Sequence, residues 1–156
     1  MEVMRQAYRA MPISFEDDDD EIFTQVSLDN LEVQVTCWAD PGAMACISVL
    51  LPIQADLELL PEVGELLHRL NHGIKRGTWE LDYNDGEIRM VEALDLMLGP
   101  LTERIFAALL DELVMVVNSV CPYLISVLSG QMTPKSAADH ANAAISALMD
   151  DGTEED

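Results

Sequence analysis

Apolar residues recur with two different periods along the chain, and the switches between them outline its elements. Leu31, Val33, Val35 and Cys37 alternate with Glu32, Gln34, Thr36 and Trp38, the period of a half-buried strand. Residues 22–28 read as another strand, joined to the first through the Asp29-Asn30 turn, and Pro41-Gly42 marks the next reversal. Residues 44–51, MACISVLL, are apolar at nearly every position and predict a strand central in a sheet.

The period then becomes helical. Pro61 opens a helix whose Val63, Leu66, Leu67 and Leu70 form one apolar stripe, and Gly73 supplies a stop. Trp79, Leu81 and Tyr83 alternate up to Asn84-Asp85-Gly86, after which Ile88 and Met90 follow. A two-residue turn at Asp85-Gly86 would set Tyr83 opposite Ile88 and Leu81 opposite Met90. Gly99-Pro100 breaks the chain before a long helix from about Thr102. Its polar residues, Arg104, Asp111, Glu112, Asn118, Ser119 and Ser126, form a narrow stripe. One sheet face needs an apolar arc of about 100°, and this helix shows roughly twice that. Something besides its own sheet must cover it. Pro122 is expected to kink or split this helix. Thr133 and Pro134 read as the cap and first residue of a last helix, with Ala137, Ala141, Ala144, Ile145 and Leu148 on its buried side.

These elements predict an α+β protein with an antiparallel sheet of about five strands, in the order β-β-β-α-β-β-α-α, with helices packed on it. Residues 22–149 form the single domain. Residues 1–21 precede it, with a short helical stub at 1–11, and residues 150–156 make an acidic, disordered tail.

Charge narrows the functional classes. The 156 residues carry 29 acids against 8 Lys plus Arg, a formal net charge of -21, while 49% of them are apolar. That apolar content argues for a packed core, and the negative field repels nucleic acid and anionic membranes. Residues 16–21 read EDDDDE and residues 150–156 read DDGTEED, blocks that are ordinarily solvated. No stretch reaches the roughly 18 uninterrupted apolar residues of a membrane helix, and the start of the chain lacks a signal-peptide pattern. Cys37, Cys46 and Cys121, odd in number and widely spaced, suit reduced thiols in a cytoplasmic protein. The methionines read mostly as core filling.

Reactive motifs are scarce. His68 and His72 lie four apart, but HRLNH lacks the glutamate of a metalloprotease HExxH. Counting a calcium loop from Asp82 puts Gly86 fifth rather than sixth. There is no GxSxG, phosphate loop or GxGxxG. Asp139 and His140, adjacent on a helix, point about 100° apart. No catalytic residue, metal ligand or cofactor is expected.

The segment LLHRLNHGIKRGTWELDYNDGEIRMVEALDL, followed by CPYLISVLSGQMTPKSAADHA, resembles the YbjN-like family over about residues 22–148. Leu70-Asn71, Gly77 with Trp79, Asn84-Asp85-Gly86, Pro122, and Gly130 before an alanine-rich helix carry the likeness. The resemblance implies a fold like that of type III secretion chaperones, often dimeric and without catalytic residues. The bacterial family is labelled a sensory transduction regulator, and its chaperone-like cousins bind extended segments. The initial helix of that fold has only the stub at 1–11 as its counterpart.

The expected function is therefore a non-catalytic adaptor or chaperone-like regulator, acting as a homodimer and binding a protein segment. Ile105, Leu109, Leu113, Val116 and Val120 are the interface candidates, with burial beneath the last helix as the competing assignment. A sheet edge offers a second mode, by strand addition. An alternative is a small-ligand sensor with Trp79, Tyr83 and Met90 lining a pocket between sheet and helix. A metal-dependent hydrolase is the third.

Overall fold

A computed structural model of the chain describes residues 1–40 and 44–151. The expected reversal at Pro41-Gly42 and residues 152–156 of the expected tail lie outside them. The fold is α+β, as the two periods predict. In chain order the elements are α1 (Glu2–Ala10), β1 (Glu16–Asp18), β2 (Glu21–Ser27), β3 (Glu32–Ala39), β4 (Met44–Gln54), a 3-10 turn (Leu57–Leu59), α2 (Leu60–Gly73), β5 (Thr78–Leu81), β6 (Glu87–Asp95), α3 (Glu103–Leu128) and α4 (Pro134–Asp151). The strands form one antiparallel sheet ordered β1-β2-β3-β4-β6-β5.

Period two sorts each strand onto two faces. The register aligns Thr24, Val35, Val49, Met90 and Trp79 in one row across β2, β3, β4, β6 and β5. All five are buried, and the helices pack on this face. α1 reaches the β3 side, where the Tyr8 hydroxyl lies 3.4 Å from Cys37 Sγ. α3 crosses β4 and β6, α2 leans on β5, and α4 packs across α2 and α3.

Several expectations need correction. The sheet has a sixth strand, because part of the acidic run pairs with β2: Glu16, Asp17 and Asp18 face Phe23, Ile22 and Glu21. Arg5 Nε holds both Asp17 carboxylate oxygens at 2.9 Å, which offsets the charge where it is densest. The stub at 1–11 is a full helix of the core, with Met4, Ala7 and Tyr8 buried at i, i+3 and i+4. The hairpin is shifted by two residues: Leu81 faces Ile88 and Trp79 faces Met90. Its loop runs over residues 82–86, because the Asp82 carboxylate accepts from Asn84 N at 2.8 Å and Asp85 accepts from Glu87 N at 2.9 Å. Gly86 closes it at φ +79, and a Cβ there would sit 2.1 Å from the Ala55 carbonyl oxygen. Gly73 is inside α2 rather than a left-handed stop; Ile74 ends that helix by turning extended. α3 runs unbroken through Pro122, whose lost donor falls on the exposed side of the helix.

Length and composition alone would let α3 cross a membrane. In this fold ten of its residues, from Phe106 to Val127, are buried in the core beneath α1, α2 and α4.

Burial also sets a pH response. It pushes the thiols of Cys37 and Cys121 up to about 12 from an ordinary 9.0, and it raises the Tyr8 phenol as well. In the unfolded chain these groups ionise near their ordinary values, so above them the unfolded state binds fewer protons than the folded one. Stability is then fully present below about pH 8.5 and falls as the pH rises towards 12, by up to about 1.4 kcal/mol per unit for each group. Urea midpoints at pH 7, 9 and 10 are expected to be level at first and then drop. A midpoint unchanged at pH 10 would contradict the burial of these groups.

Candidate interaction surface

Four of the five interface candidates lie inside the subunit. Leu109, Leu113, Val116 and Val120 are buried in the core, and only Ile105, at 46% exposure, reaches the surface. The extra apolar arc of α3 is explained by α1 and α4, which cover what the sheet does not. A homodimer through those four residues is thereby excluded as long as the subunit stays folded.

The pocket candidates are not brought together either. Trp79 and Met90 are a buried cross-strand pair, at 3% and 0% exposure. Tyr83 is 60% exposed, beyond the end of β5, with its ring over Gly64 and its hydroxyl donating to Leu60 O at 3.4 Å. Between sheet and α3 the void beside Met90 and Leu113 measures about 10 Å³. That is room for one water at most. His68 and His72 are exposed, and among the described residues no three His, Cys, Asp or Glu side chains are grouped as metal ligands would be.

The surface that does stand out is the other side of the sheet. The outward-facing row Phe23, Thr36, Ser48, Val91 and Thr78 crosses five strands. On one side of it run Glu21, Trp38, Cys46 and Ala93, and on the other Gln25, Gln34, Leu50, Arg89 and Glu80. Phe23, Trp38, Leu50 and Val91 are half-buried, flanking Cys46 and Ser48 at 8% and 7% exposure. None of these apolar residues belongs to the core cluster under the helices. An antiparallel sheet with one solvated face ordinarily carries polar residues there. Here four large apolar side chains surround Thr36 and Ser48, and among the described residues no element lies over them.

Shallow hollows share this face. One of about 270 Å³ is lined by Trp38, Leu50, Thr36 and Ser48, with Glu21, Glu87 and Arg89 around them. Another, of about 680 Å³, runs past Phe23 and Gln34 to Ile13 and Phe15 at the β2 edge. Arg89 is already held, at 2.7 Å by Glu80 and at 3.7 Å by Glu87. The Cys46 thiol sits here too, but burial and then Asp40 raise its pKa, the wrong direction for a nucleophile.

The sheet edges are guarded. At β5 the side chain of Asn71 imitates a neighbouring strand: its Oδ1 accepts from Trp79 N at 2.8 Å, and its Nδ2 donates to Trp79 O at 2.9 Å. At the opposite edge β1 presents three exposed acids. Plugged or charged edges resist strand addition, so the edge-docking mode is disfavoured at both ends. Sequence reasoning named neither Phe23 nor Leu50 for a site. The available signal was the apolar character of β4 on both of its faces, which marks it as a central strand, as it is in the sheet order, without showing which face lacks a cover.

No family model matches the chain, and a search of curated proteins finds no relative.

Proposed function

We propose that this chain is a non-catalytic protein-binding module, of the adaptor or chaperone-like kind, that docks its partner on the bare face of the sheet. The observation that carries the reading is the one-sided placement of the helices, which leaves Phe23, Trp38, Leu50 and Val91 without a covering layer among the described residues. Interfaces are built this way, with an apolar centre and a polar rim. The hollows of the bare face, of about 270 and 680 Å³, are shallow and open, unlike the clefts that enclose most of a cofactor or drug-sized ligand. They suit side chains of a partner. The groups with perturbed ionisation are buried thiols, a buried phenol and two surface ion-pair members, Arg5 and Asp139, not a cluster in a cleft. The resemblance to the YbjN-like family and its chaperone-like cousins points the same way.

A photo-crosslinking residue at position 50 tests this against one at position 57. Leu57 is 67% exposed on the 3-10 turn before α2 and lines none of the hollows of the bare face. A discrete protein adduct in cells from position 50 and none from 57 is the expected result. Equal labelling from both, or none from position 50, would count against the reading, and an adduct to a second copy would make the face a dimer interface.

A further inference from the structure

We infer that the bare face is built for a partner surface that is basic around an apolar centre, one apolar side chain seating between Trp38 and Leu50 with lysine or arginine on either side. The inference rests on the docking role of that face and adds the chemistry of its occupant. Glu21 and Glu87 line the same hollow as Trp38 and Leu50. Arg89, the cation of that hollow, is already engaged by Glu80 and Glu87, whereas Glu21 has no ion-pair partner among the described residues. Glu32 and Asp95 face the same way at the ends of β3 and β6. The exception is one corner, where Lys75 and Arg76 border the hollow beside Val91, and Arg76 is 3.7 Å from Glu112 of α3.

A second copy is the wrong occupant on charge. Stacking this face on itself would join two chains of net charge -21 and double the acids Glu21, Glu32, Glu87 and Asp95 around the contact. Juxtaposed like charges oppose a complex, and complementary ones steer it and select the partner. A phosphorylated or otherwise anionic segment is disfavoured for the same reason.

Trp38 makes the test local. It is one of two tryptophans, and the other, Trp79, is 3% exposed on the opposite face of the sheet. The full chain is titrated with a synthetic peptide of three apolar residues flanked by two lysines on each side, and with its counterpart carrying glutamate for each lysine. The lysine peptide is expected to shift the Trp38 emission saturably, at least about tenfold more tightly than the glutamate one. Glu21→Gln with Glu87→Gln is expected to weaken it about tenfold, as two lost partly exposed ion pairs would. Glu58→Gln with Glu62→Gln removes the same charge from the α2 side and is expected to leave binding unchanged.

Equal binding of the two peptides would overturn the basic partner while leaving the face a docking site. Equal loss from both glutamine pairs would show attraction by net charge alone and overturn the seat. An emission unchanged by either peptide would also overturn it, with the crosslinks from position 50 deciding the docking role separately. A dimer in sedimentation that Leu50→Glu dissociates would replace the basic partner with a second copy.

Discussion

Leu113→Glu is expected to unfold the chain, not to release soluble monomers. Leu113 is 1% exposed on the sheet side of α3, close enough to Gly77 that a Cβ on the glycine would come within 2.9 Å of it. The small void beside it is lined by Glu92 and Glu112, with Arg76 their nearby cation. A third carboxylate there loses the leucine's burial, about 2–5 kcal/mol. It also meets two like charges with little water to screen them, at a further cost of several kcal/mol. Domains have only about 5–15 kcal/mol in total. Circular dichroism and urea titration should show a chain unfolded or nearly so, while Ile105→Glu, on the exposed side of the same helix, should stay within about 1 kcal/mol of the parent. A folded, soluble Leu113→Glu monomer would return this residue to an interface and undo the burial on which the fold description depends.

That contrast between Leu113 and Ile105 marks where the sequence stops being legible. Periodicity found the strands from β2 to β6 and the helices from α2 to α4, because each carries a stripe that water excludes from one side. The width of the stripe on α3 was also readable, and so was the need for a second cover. What periodicity does not carry is the identity of that cover: an apolar arc packs equally well against a sibling helix or a sibling subunit. The answer lay in α1 and α4. The first is nine residues long, with only Met4, Ala7 and Tyr8 buried, too short to announce itself by pattern. The second is alanine-rich and gains its close approach to α3 from small size rather than from a hydrophobic signal.

The candidate site was hidden for a related reason. A run such as MACISVLL is apolar on both faces, and two-sided apolar character ordinarily means burial on both sides. Here Ala45, Ile47 and Val49 are covered by the helices, while Cys46 and Leu50 are on the other face, where no helix or strand among the described residues lies over them. The acidic run is solvated, as its composition implies, but composition does not show that the open edge of β2 and Arg5 hold Glu16, Asp17 and Asp18 as an exposed strand. Local propensity lost to tertiary pairing at that point.

The role of α1 is the sharper test of this architecture, because sequence reasoning left it outside the domain. Tyr8 is fully buried, with ring centroids 5.3 Å from Phe15 and 5.6 Å from Phe106, and its hydroxyl meets Cys37 Sγ. One side chain thus ties α1 to the loop before β1, to α3 and to the inner face of β3. Tyr8→Ala is expected to cost about 3–5 kcal/mol, the range for emptying a buried aromatic site, read as a fall in the urea midpoint with the slope unchanged. Tyr8→Phe separates packing from polarity: it keeps the ring and removes only a weak hydroxyl–thiol contact, so it should cost under about 1 kcal/mol. If Tyr8→Ala left the midpoint within the error of the titration, α1 would be a detachable arm, and α3 would again present an apolar flank in need of some other cover.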